Sequence, residues 1–206
     1  MKWYFVKTPK FFKWIYPKRI WAFSNTEKPH LTFDDGPIPE VTPWVLDELK
    51  KHNVKATFFC IGENIAKHPE IFKRIIVEGH QIGNHTYNHL NGWKTDTDKY
   101  LENVVKCETE IQKHTSKNYT KLFRPPYGKL SFKQAKLILL EGYKILMWST
   151  LSGDFDTSIS KEKCLENTLS GLKNGRIIIF HDSLKAEKNL RYVLPKVLEK
   201  ISVSKK

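Results

Sequence analysis

The sequence predicts an α/β domain, a mostly parallel sheet wrapped by helices and closed as an irregular β/α barrel. Two observations lead there. Short runs rich in β-branched and aromatic residues alternate with stretches of helical period, the pattern of successive βα units. No GxGxxG or GKS/T motif follows any of these runs, which counts against the nucleotide-binding sheet folds. No Gly/Ser linker, repeat or low-complexity stretch divides the chain, so one domain is expected. Barrels of this kind carry their sites at the carboxyl ends of the strands.

The elements follow in order. Residues 31–34 are an apolar run that ends in carboxylates and Gly36-Pro37, a strand entering a loop. Thr42 as N-cap and Pro43 at the first helical position open a helix with Val45, Leu46 and Leu49 on its apolar stripe. Residues 56–61 read as a strand. Pro69 opens and Gly79 closes a helix with Ile71, Phe72, Ile75 and Ile76 inward, and residues 81–83 form a short strand. Tyr100, Val104, Cys107, Glu108 and Ile111 share one helical face. Residues 122–123 are a strand stopped by Pro125-Pro126, and residues 132–141 a helix closed by Gly142. A strand over 144–148, a helix over 161–172 and a buried strand over 176–180 complete the alternation. The last helix, residues 190–201, contains Pro195, so it is kinked or starts late.

Charge and composition narrow the function. The chain holds 35 Lys and Arg against 22 Asp and Glu, a formal charge of +13. That suits an anionic partner, or simply a solvated Lys-rich surface. Arginine, the residue of base readout and phosphate clamps, occurs only at Arg19, Arg74, Arg124, Arg176 and Arg191. With no nucleic-acid motif present, nucleic-acid binding is set aside. Cys60, Cys107 and Cys164 form no CxxC pair and read as buried free thiols. No apolar run approaches the ~18 residues of a spanning helix. Lys2, Lys7, Lys10, Lys13, Lys18 and Arg19 interrupt the N-terminus, so it lacks the apolar core of a signal peptide. A cytoplasmic or membrane-peripheral location is therefore expected. Trp3, Phe5, Phe11, Phe12 and Trp14 lie among those lysines. Such a segment can rest on an anionic membrane surface; the reading adopted is an arm, residues 1–28, packed on the domain and bent at Pro9 and Pro17.

The candidate chemistry sits after predicted strands. Asp34 and Asp35 follow the first, His85 and His89 the third, Arg124 the fourth, Asp154 and Asp156 the fifth, His181 and Asp182 the last. The i, i+4 spacing of His85 and His89 sets two imidazoles on one side of a helical turn, close enough to share a metal. A carboxylate from another strand end would complete a three-ligand site with a position left for water. The turn at Gly36-Pro37 can re-aim the adjacent carboxylates so that one ligates and one acts as base; the alternative is an acidic loop capping the next helix. His181 is either a general acid held protonated by a carboxylate such as Asp154, or a buried histidine bonded to backbone. Arg124 either pairs with Asp34 or closes a turn at the surface.

Four ordered motifs carry a resemblance. Thr32-Phe33-Asp34-Asp35-Gly36-Pro37 is similar to TFDDGP, His85-Thr86-Tyr87-Asn88-His89 to H[ST]xxH, Arg124-Pro125-Pro126-Tyr127-Gly128 to RPPYG, and Ile179-Phe180-His181 to LxH with Ile for Leu. From His30 to His181 the chain resembles the polysaccharide deacetylases, the NodB-homology domains of carbohydrate esterase family 4. The resemblance implies a distorted β/α barrel over residues 29–206 and a divalent metal, usually zinc. It implies Asp35, His85 and His89 as metal ligands, Asp34 as general base, Arg124 positioning Asp34, and His181 as general acid. It also implies the Tyr127 backbone N–H as an oxyanion donor and Ile179 lining the pocket for the acetyl methyl. The family's Asp-Trp pair is Asp154-Phe155 here, which keeps the carboxylate beside the acid and changes the groove wall. Trp44, Trp93, Tyr87 and Phe155 are candidate platforms for sugar rings. The expected activity is hydrolysis of N-acetyl groups on N-acetylglucosamine glycans by a monomer. An O-acetyl esterase, a cyclic-amide hydrolase and an inactive glycan-binding module are the alternatives.

Overall fold

A computed structural model describes residues 4–24, 26–115 and 119–203, so Lys2 and Trp3 lie outside the described residues. Seven strands form one sheet: β1 (His30–Asp34), β2 (Thr57–Cys60), β3 (Gln81–Asn84), β4 (Leu122–Phe123), β5 (Lys144–Ile145), β6 (Thr150–Leu151) and β7 (Ile177–His181). Their order is β5-β4-β3-β2-β1-β7-β6, and every pairing is parallel. The helices are α1 (Lys10–Ile15), α2 (Thr42–Lys51), α3 (Gly62–Lys67), α4 (Pro69–Val77), α5 (Thr97–Gln112), α6 (Phe132–Leu140), α7 (Lys161–Leu169) and α8 (Glu187–Val203).

The central strands read as continuous apolar runs because helices cover the sheet. Phe33 of β1 stacks between Phe58 of β2 and Phe180 of β7, with ring centroids 5.1 and 5.6 Å apart. Helix α5 turns Tyr100, Val104, Cys107, Glu108 and Ile111 inward, all buried. Cys60, Cys107 and Cys164 are buried free thiols.

The register is what builds the site. Asp34 lies opposite His181 of β7, and Asn84, the last residue of β3, lies opposite Phe123 of β4. The strands therefore end level, and the next residues in chain order are Asp35, His85, Arg124 and Asp182. One row of carboxyl ends delivers all four.

Four expectations need correction. Thr42 is not an N-cap: α2 begins on it, with Val41 as cap. Its hydroxyl instead accepts from the Ile38 N–H and donates to Asp182. The strand expected over 144–148 ends at Ile145, and the chain re-enters the sheet as β6. It breaks where the Leu146 and Met147 carbonyls accept the Arg124 guanidinium, at 3.0 and 2.9 Å. Helix α7 stops at Leu169 rather than 172. Helix α8 starts at Glu187 and runs through Pro195, so it starts early, not late.

The N-terminal segment covers the two outer strands. Ile20 bonds to the Ile145 carbonyl and accepts from the Met147 N–H, while Val6 accepts from Leu151 and Thr8 donates to the Ser149 carbonyl. Backbone groups at the sheet edges are thereby satisfied. No helix among the described residues is long and apolar enough to cross a membrane.

Candidate active site

Asp34 and Asp35 part company at the end of β1. Asp34 keeps strand geometry and is buried; Asp35 takes φ 85°, a left-handed conformation that turns its side chain out of the strand alternation. Asp182 secures that turn. Its two carboxylate oxygens accept from the Gly36 N–H at 3.1 Å and from the Thr42 hydroxyl at 2.6 Å. A Cβ on Gly36 would stand 2.0 Å from Asp182 Oδ2, so only glycine fits. From the other side the Asn64 amide donates to the Asp35 carbonyl at 2.7 Å. Burial pushes the Asp182 carboxyl up to about 8, and the nearby Asp35 charge adds to the rise.

His85 and His89 do not lie on a helical turn. Thr86 and His89 have φ of 64° and 55°, and the segment is a loop. Its N–H groups are taken by side chains: Thr86 donates to Asn84 Oδ1, Tyr87 and Asn88 to Asn103 Oδ1, and Leu90 to Thr86 Oγ1. Its Thr86 and Tyr87 carbonyls accept from the first N–H groups of α3. The loop still brings the rings together, with centroids 5.1 Å apart.

Asp35, His85 and His89 thus present one ligand atom each, all within 4.8 Å of one another. Nε2 of His89 lies 3.3 Å from Asp35 Oδ1, and Nε2 of His85 3.8 Å from it. His85 Nδ1–H donates to the Arg124 carbonyl at 2.7 Å, so in the neutral ring the Nε2 lone pair faces the cluster. His89 Nδ1 is 3.2 Å from the Tyr127 hydroxyl, which leaves its Nε2 toward Asp35. Burial lowers the pKa of both rings, outweighing the attraction of Asp35, and so favours the neutral, ligating form. Asp35 Oδ1 is buried with no hydrogen-bond partner. An orphaned carboxylate oxygen beside two neutral imidazole nitrogens is a donor set that fits a divalent transition metal such as zinc.

Two ion pairs flank this cluster. Arg124 is fully buried (0% exposed), which rules out a surface role. It donates to Asp34 Oδ1 and to the Thr32 hydroxyl, each at 2.7 Å. Asp34 Oδ2 sits 3.7 Å from His85 Nε2. Across the cluster, Asp154 holds His181 with both oxygens: Oδ1 accepts from the ring Nδ1 at 2.8 Å and Oδ2 from the backbone N–H at 2.7 Å. Burial lowers the pKa of this ring, but the Asp154 charge and hydrogen bond overcome it and raise it to about 9. That pairing favours the imidazolium form and commits the ring Nδ1 to Asp154.

The remaining candidates divide. Tyr127 has φ 59° and an exposed side chain beside His89. Phe155 packs edge-on against His181 at 5.0 Å, and Ile179 is buried in β7. Trp93, 63% exposed, shares a cleft with Tyr127. Trp44 and Tyr87 lie elsewhere: Trp44 packs under Arg191, Tyr87 under Lys106, and both rest on the main core. Asp156 bonds to Ser158. Sequence reasoning assigned no role to Thr32, Asn64, Asp182 or Trp148. Only Asp182 carried a signal, a carboxylate directly after an apolar strand.

The model of the family described as polysaccharide deacetylase matches residues 24–145, more than half of the chain. A peptidoglycan-N-acetylglucosamine deacetylase of Bacillus cereus is 42% identical over 175 residues, covering 84% of this chain and 62% of that protein. The chain thus spans about three fifths of that relative's length. A second Bacillus cereus protein of the same description is 32% identical over 183 residues, covering 88% of this chain and 85% of its own. The solved structure of the peptidoglycan N-acetylglucosamine deacetylase Bc1960, in complex with 4-naphthalen-1-yl-N-oxidanyl-benzamide, superposes with a TM-score of 0.86 at 35% identity. That likeness covers 96% of this chain and 92% of Bc1960, and it confirms the distorted β/α barrel. With four ordered motifs converging on one row of strand ends, the chain belongs to the polysaccharide deacetylase family.

Proposed function

We propose that the chain removes N-acetyl groups from N-acetylglucosamine-containing glycans of the peptidoglycan or chitooligosaccharide type, releasing acetate and a free amine. Residues 29–206 form the catalytic unit and residues 1–28 the arm. The observation that carries the reading is geometric: an Arg124–Asp34 pair stands on one side of the ligand cluster and an Asp154–His181 pair on the other.

Asp35, His85 and His89 would hold a divalent cation, most simply zinc, which supplies Lewis acidity toward a carbonyl oxygen and lowers the pKa of water. Asp34, fixed by Arg124 and Thr32, takes a proton from the water that adds to the amide carbonyl. The Tyr127 N–H donates to the oxygen that gains charge in that addition. His181 Nε2–H gives its proton to the departing nitrogen as the C–N bond breaks; without it the amine would leave as an anion. Asp154 keeps that proton in place and fixes the ring. Ile179 faces the acetyl methyl, and Phe155 and Trp93 are the walls for sugar rings. The enzyme works as a monomer. Phe11 and Trp14 of α1, each exposed and next to a lysine (Lys10 and Lys13), are the residues through which it would touch a membrane surface.

Acetate release from N-acetylglucosamine oligomers tests this. Purified protein is expected to release acetate, to stop when a chelator strips it, and to resume with zinc. Release from acetylated xylan but not from N-acetyl oligomers would replace the reading with an O-acetyl esterase. No release from either, with metal bound, would refute it.

A further inference from the structure

Beside the ligand cluster, the N-terminal arm and the Tyr127 loop enclose a cleft of about 240 Å³. Tyr127 joins the two places: its ring lines the cleft and its hydroxyl stands 3.2 Å from His89. The walls are aromatic, with Tyr4, Trp21, Trp93 and Trp148 among them, and include no Asp or Glu. Two cations do line it, Arg19 and Lys129. Arg19 is only 7% exposed. Its guanidinium stacks 4.0 Å from the Tyr16 ring and donates through Nη2 to the Leu130 carbonyl at 3.1 Å. Among the described residues no carboxylate forms an ion pair with it or with Lys129, whose ammonium sits 5.4 Å from the Trp93 ring. A guanidinium carries five N–H donors, and a buried cation without a counter-charge is costly. Aromatic faces beside an uncompensated buried cation suit a ring-bearing anion.

We propose that this cleft is a subsite for a sugar bearing a carboxylate, linked to the sugar that is deacetylated. Its ring would lie on the aromatic walls and its carboxylate would meet Arg19 and Lys129. The inference rests on the deacetylase reading and narrows it, since a neutral homopolymer of N-acetylglucosamine offers nothing to the two cations. A free carboxylate of this kind occurs in a 3-O-lactyl ether that carries no peptide and in a uronic acid.

Tryptophan fluorescence of the full chain, titrated with N-acetylmuramic acid, glucuronic acid and N-acetylglucosamine, tests it. At least one acidic sugar is expected to bind about tenfold more tightly than the neutral one, a difference of about 1.4 kcal/mol. Whichever acid binds better identifies the source of the carboxylate. Arg19→Met or Lys129→Met should remove most of the preference, and salt should weaken it. Lys129 is not fully buried, so Lys129→Met decides the question even where Arg19→Met fails to fold by circular dichroism. Equal affinity for all three sugars, or a preference that survives both substitutions, would overturn the subsite. Acetate release by the zinc-loaded wild type, run on neutral oligomers alongside, judges the deacetylase reading separately.

Discussion

The two sides of the ligand cluster carry the same kind of bond with opposite chemical consequences. On the β1–β4 side, Asp34 is bound at 2.7 Å by Arg124, a cation that does not surrender its proton. The carboxylate is oriented and keeps its capacity to accept. On the β6–β7 side, Asp154 is bound at 2.8 Å to His181, a cation that can surrender its proton. There the carboxylate is the support and the cation is the donor. On the proposed mechanism an acid–base pair thus needs no unusual residue: exchanging which partner can transfer a proton would make one ion pair the base and the other the acid.

The largest expected break in that comparison is Arg124→Met. It leaves Asp34 buried and uncompensated, and it frees the carbonyls of Leu146 and Met147. Removing one partner of a buried pair costs about 3–5 kcal/mol, measurable by urea denaturation. A loss under about 1 kcal/mol would mean that Asp34 does not depend on this partner.

Next is Asp154→Asn. In the metal-free protein the His181 ring should titrate near 9 by NMR in the wild type. In the variant the value should fall well below that, because burial is then opposed only by the weaker pull of Asp35 and Asp34. The sign carries into stability. With its folded pKa above the unfolded one, His181 contributes stability that is complete below about pH 6.5 and lost as pH rises through about 9. Thermal denaturation of the metal-free wild type should show that alkaline loss, and Asp154→Asn should show less of it between about pH 8 and 9, above the range in which Asp182 titrates.

The smallest is Thr42→Val, which removes the hydroxyl donor to Asp182 while keeping shape. About 0.5–1.5 kcal/mol should be lost, with a shift in metal affinity if the Asp182 turn positions Asp35.

What the sequence made legible, and what it hid, follows the same division between local and distant causes. The buried face of α5 was readable to the residue, because helical period and burial coincide there. The strand ends were readable because apolar runs stop where charge begins. Helix α3 was not foreseen: its N-cap, Ile61, offers no side-chain bond, and its first N–H groups find their acceptors on Thr86 and Tyr87, far along the chain. The His85–His89 loop mimics helical spacing, yet Asn84 and Asn103 claim its backbone. The break after β5 depends on Arg124, which approaches from another strand. In each case a group distant in sequence overrides a local preference, and these cases cluster around the site. The Asp182 turn was hidden likewise: Thr42 looked like a cap because nothing nearby shows that its hydroxyl is committed elsewhere.

Asp34→Asn tests the central claim, that neighbouring carboxylates divide the work of base and ligand. Zinc stoichiometry and acetate release are measured on the same purified variant. The expected result is metal bound as in the wild type with turnover lowered by about 10²–10⁴-fold. Turnover near wild type would remove Asp34 from the base role, and loss of the metal would place it among the ligands instead.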